Sequence, residues 1–129
     1  MKIAYTIARF LLGAIFLFFG SNLFINFLHA PMPAGIMGQF ASALSTSHYI
    51  YAVAFFQVVP AVLLFLNRYV PLGLTLLAPV IVNICLVHIL MAPSGLPIAA
   101  LVVVLWLLVF YRVRSAFAGI FERRVPDAA

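Results

Sequence analysis

The chain has 129 residues, 67% of them hydrophobic and only 7% charged, where a soluble domain carries about 25% charged residues. That composition excludes a water-soluble fold, and residues 1–129 read as one membrane-embedded domain with no length to spare for a soluble one. The net charge of +5 is not gathered into a patch, because the seven Lys and Arg stand at the ends of apolar runs; this excludes a nucleic-acid partner and leaves the lipid bilayer as the surrounding medium.

Four apolar runs follow one another, at residues 3–28, 49–66, 70–91 and 96–110. Each is near the roughly 20 residues that cross a bilayer as a helix. The expected fold is therefore all-α, a four-helix transmembrane bundle. The first run follows Lys2 as a signal peptide would, but it is too long, is interrupted by Arg9 and lacks a clean small-x-small cleavage site, so it reads as a retained helix. Lys2 and Arg9 open this run, Arg68 lies in the tight turn between the second and third, and Arg112, Arg114, Arg123 and Arg124 follow the fourth. With four spans every basic residue falls on one side, which the positive-inside rule assigns to the cytoplasm together with both termini.

Arg9 lies about 10 Å along the helix from Lys2, within reach of the head groups by snorkelling. Arg9, Arg68 and Arg112 are accordingly expected at lipid head groups. The outer loop, residues 30–47, opens on Pro31, Met32 and Pro33, which end the first helix. Met37, Phe40, Ala41 and Leu44 then recur at helical spacing, predicting a short interfacial helix lying over the bundle as a lid. Phe117, Ile120 and Phe121 share a face beyond the fourth span and predict an interfacial continuation of it.

Polar residues inside the spans are expensive, and each is a functional hypothesis by default. Asn22, Asn26 and His29 occupy the outer third of the first span, on one face within about 60°. Gln57 lies near the middle of the second, flanked at helical spacing by Ala54 and Ala61, which permit close approach. Thr75, Pro79 and Asn83 line one face of the third, and His88 sits about 140° from Asn83. Two readings stand side by side. The amides are either glue, hydrogen-bonded from helix to helix, or the lining of a polar pocket in the outer half, with Asn22, Asn26, Gln57, Asn83 and His88 as ligand-binding residues. A quinone, with two carbonyl oxygens, suits amide and imidazole donors. Haem and metal are disfavoured, since three histidines spread around the rim lack companion carboxylates, and no metal ligands are assigned.

The single Cys85 excludes a disulfide and a Cys-x-x-Cys redox pair. No embedded Asp or Glu is present for a proton-coupled exporter, and no nucleophile–base pair forms between neighbouring spans, so no catalytic residue is assigned. Thr6, Arg9, Gly13 and Gly20 fall on nearly the opposite face of the first span from Asn22, Asn26 and His29. Either that helix breaks at Gly20 and Ser21, the favoured reading, or a second copy of the chain buries one face.

Arg9, Phe10, Leu11, Leu12 and Gly13 followed by Gly20, and above all Arg68, Tyr69, Val70, Pro71 and Leu72 with Pro79, Asn83 and His88, resemble the DoxX family. The resemblance extends to about Arg112. It implies a small four-helix protein of the bacterial inner membrane. Some members are subunits of a thiosulfate–quinone oxidoreductase, or partners in thiol and oxidative-stress complexes. It thereby implies a redox-associated subunit with a redox protein partner or a homo-oligomeric state, not catalytic alone. The alternatives are a structural or lipid-binding protein and a small transporter. Family members often carry an acidic residue followed by glycines where this chain has Gln57, and a lysine near its Ser21 and Asn22, so no proton-handling role carries over.

Overall fold

The computed structural model describes residues 1–127. Its helices are α1 (Lys2–Ile25), α2 (Gly35–Thr46), α3 (Tyr49–Leu66), α4 (Val70–Leu90) and α5 (Leu96–Val113). A 3-10 turn, Pro93–Gly95, joins α4 to α5, a 3-10 segment, Arg114–Phe121, follows α5, and no strand occurs among the described residues. Helices α1, α3, α4 and α5 are long and apolar enough to span a membrane, and α2 is not.

The spanning helices pack as a ring in the order α1, α3, α4, α5 and back to α1. Leu12, Leu64, Leu74, Leu77 and Val109 fill its axis and are fully buried, with Phe16 beside them. Phe18, Phe55, Val82 and Leu101 face outward, as lipid requires. Small residues bring α1 onto α3. A Cβ on Gly20 would lie 2.9 Å from Gln57 Cβ, and one on Gly13 would lie 3.3 Å from the Ala61 carbonyl oxygen. In lipid, where apolar burial gives no drive for helices to associate, such close packing supplies it.

Helix α1 runs through Gly20 and Ser21 without a break and ends at Asn26, whose left-handed backbone (φ 47°) closes it. The expected break is not needed. Because α1 sits in the corner between α3 and α5, its buried face is broad. Gly13 and Gly20 form the edge turned to α3, while Ile15, Phe19 and Asn22 form the other edge. The helix stops before Asn26 and His29 have to be placed, and both are exposed.

Helix α2 rests on α3 rather than lying across the bundle. The expected short helix exists, but its residues line neither of the two cavities described below. Past α5 the chain tightens into 3-10 winding, so Phe117 alone of its apolar trio is buried, 5.0 Å from the Phe110 ring. Ile120 and Phe121 are exposed.

Candidate functional site

In the half of the bundle away from the termini, the four spans line a cavity of about 340 Å³ that is open on one side. This is at the lower end of small-molecule sites, which run from about 300 to 1,000 Å³. Its walls are Ile15, Phe16, Phe19, Ile84, Ile98 and Val102, and its polar side chains are Asn22, Gln57 and His88. Each of those three comes from a different helix, α1, α3 and α4, and none carries a carboxylate or guanidinium. Phe19 and Ile98, both exposed, mark the seam between α1 and α5 where the cavity meets the outside of the bundle.

Gln57 is 8% exposed, yet its amide makes no hydrogen bond to any described residue. Among the described residues the Arg9 Nε is the one fully enclosed side-chain nitrogen or oxygen without a partner, so the Gln57 amide opens onto space rather than onto packed atoms. A buried amide in hydrocarbon costs about 1–3 kcal/mol when unpaired. Asn22 is half-buried; its Oδ1 accepts the Leu28 N–H at 2.9 Å, which leaves its NH₂ without a protein partner.

His88 is held in one orientation. Its Nδ1 lies 3.1 Å from the Ala92 carbonyl oxygen, which also accepts the Gly95 N–H at 3.1 Å. A Cβ on Gly95 would overlap the imidazole, so glycine there is the seat of the ring. A carbonyl only accepts, so Nδ1 carries a proton, and in the singly protonated ring Nε2 then keeps the lone pair. Towards a ligand, His88 is an acceptor. Sequence alone groups His88 with the donors, because what sets its tautomer is the Ala92 backbone carbonyl, which no side-chain pattern announces.

Asn83 does not reach this cavity. With Thr75 and Pro79 it lies on an exposed face of α4, and its Nδ2 donates to the Pro79 carbonyl at 2.9 Å, as Thr75 Oγ1 does to Pro71 at 2.8 Å. Asn26 is exposed beyond the end of α1, and His29 and His48 are exposed away from the cavity. Among the described residues none of the amides Asn22, Gln57 and Asn83 hydrogen-bonds across to another helix.

Arg68 and Arg112 are exposed at the end of the bundle that holds the termini. Arg9 is not at the surface but 6% exposed, its guanidinium turned into the bundle. It donates to the carbonyls of Leu64 and Phe65 in the last turn of α3, and lies 4.5 Å from the Phe10 ring centroid. Tyr5 extends the same junction, its hydroxyl donating to Asn67 Oδ1 at 3.0 Å. A second cavity, about 390 Å³ between α4 and α5, is lined by Cys85, Trp106 and aliphatic side chains. Trp106 Nε1 is already spent on the Leu74 carbonyl at 3.0 Å, so this space offers a ligand only the weak donor of the Cys85 thiol.

Fold and site together define a polytopic α-helical membrane protein with an intramembrane cavity that is apolar in its walls and polar at three side chains. No family model, no curated protein and no solved structure matches the chain.

Proposed function

We propose that the protein is a DoxX-like, redox-associated subunit of the bacterial inner membrane that binds a quinone or a similar apolar ring compound among Asn22, Gln57 and His88. The observation that carries this reading is Gln57, a largely buried residue whose amide has no protein partner and opens to the cavity. If the amides were packing contacts alone, they would bond from helix to helix, and they do not. The cavity volume suits a ring-sized head group, with any tail leaving between Phe19 and Ile98 into the bilayer. Seven basic residues at one end, and charge-free turns at the other, support cytoplasmic termini. The motif around Arg68, Pro79 and His88 supports the family reading.

Mass spectrometry of small molecules extracted with the purified protein tests it. Wild type is expected to yield a quinone-class compound, and Gln57→Leu, folded to the same extent, is expected to yield none. Equal recovery from both proteins, or none from wild type, overturns the proposal.

A further inference from the structure

We infer that the cavity selects the hydroxyl-bearing, reduced form of its ligand over the dione. This rests on the proposed binding of a quinone-class ring and specifies which member of the couple the site prefers. The polar cluster is not made of donors alone. Asn22 offers NH₂, because its Oδ1 is held by the Leu28 N–H. Gln57 offers an amide with no protein partner. His88 offers the lone pair of Nε2, because its Nδ1 proton is held by the Ala92 carbonyl.

A dione has only acceptor oxygens. It satisfies the amide N–H groups but sets a lone pair against Nε2, leaving that nitrogen without a partner. A hydroxyl donates to Nε2 and still accepts from an amide, so one oxygen answers both kinds of group. Sites built to pair a substrate hydroxyl discriminate strongly against analogues that lack it. The assignment depends on the ring staying where it is. Gly95 is therefore a positioning residue: any side chain there displaces the imidazole from the Ala92 carbonyl. The ring then no longer has one fixed donor and one fixed acceptor.

The test is anaerobic calorimetric titration of the protein in lipid nanodiscs with three short-chain probes: a 1,4-benzoquinone, its hydroquinone, and the dimethyl ether of the hydroquinone. The hydroquinone is expected to bind at least about tenfold tighter than either of the others. In His88→Leu and in Gly95→Ala this preference is expected to fall to within about twofold. The two variants reach the same ring from different places, α4 and the turn after it, so a folding defect in one leaves the other to decide. Equal affinity for hydroquinone and benzoquinone overturns the inference and leaves the binding proposal standing. A dimethyl ether that binds as tightly as the hydroquinone overturns it as well, since no O–H is then being donated. Failure of all three probes to bind refutes the binding proposal, and the inference with it.

Discussion

Arg9 carries a positive charge inside the bundle, and neither of the chain's two acids, Glu122 and Asp127, lies in a span to oppose it. What opposes it is the negative end of the α3 dipole, delivered through the carbonyls of Leu64 and Phe65. Charge-assisted hydrogen bonds of this kind contribute about 1.5–3 kcal/mol. Arg9→Leu is therefore expected to lower unfolding stability by roughly 2 kcal/mol in a detergent titration. Arg9→Lys should recover part of that loss, because an ammonium reaches a carbonyl but lacks the guanidinium fork. An unchanged stability in Arg9→Leu would return Arg9 to the head groups, where the sequence had placed it. That placement followed from distance to Lys2 alone; the actual partners are backbone carbonyls 55 and 56 residues further on, which no side-chain pattern announces. Gln57 gives the opposite expectation. Its amide has no bond to lose, so Gln57→Leu should not cost stability and should raise it by up to about 1 kcal/mol. A loss of about 1 kcal/mol in the same titration would mark it as an interhelical contact.

At the scale of the helix, α4 shows what periodicity can and cannot say. Thr75, Pro79 and Asn83 do share a face, as their spacing requires. The direction of that face was not legible. In water, an amphipathic stripe points to the core, whereas a helix that is apolar all round carries no such pointer when lipid and core are equally apolar. The structure turns this face outward and satisfies Thr75 and Asn83 on their own helix. Asn83→Leu is accordingly expected to leave benzoquinone and hydroquinone affinity unchanged and to shift stability by no more than about 0.5 kcal/mol. A loss of binding in this variant, measured by the same titration, would place Asn83 in the site. Helix α1 carries the same lesson. Its two polar faces predict a break or a second copy only if the bundle offers α1 a single narrow face; with α3 on one side and α5 on the other, a continuous helix uses both edges.

At the scale of the whole molecule, hydropathy and length located the spans closely: α3 was expected at 49–66 and runs Tyr49–Leu66, and α4 was expected at 70–91 and runs Val70–Leu90. Those quantities are local to each segment, which is why they survive without knowledge of the partners. The order of helices around the ring, the seat of α2 against α3 and the inward turn of Arg9 are pair properties, and required the structure. Orientation across the membrane follows from the segments again. Lys2, Arg68 and Arg112 stand at one end of the bundle, whereas Ser42 in α2 and Ser94 in the α4–α5 turn are exposed at the other. Moving basic residues across the bilayer opposes the positive-inside bias, so both serines are expected on the periplasmic face. Single cysteines at Ser42 or Ser94, in a Cys85→Ala background, should react in intact cells with a thiol reagent that cannot cross the inner membrane. A cysteine at Arg68 should react only after that membrane is opened. The reverse pattern would invert the bundle and place the Asn22, Gln57 and His88 cavity in the cytoplasmic leaflet, where a ligand would have to be drawn from the opposite side.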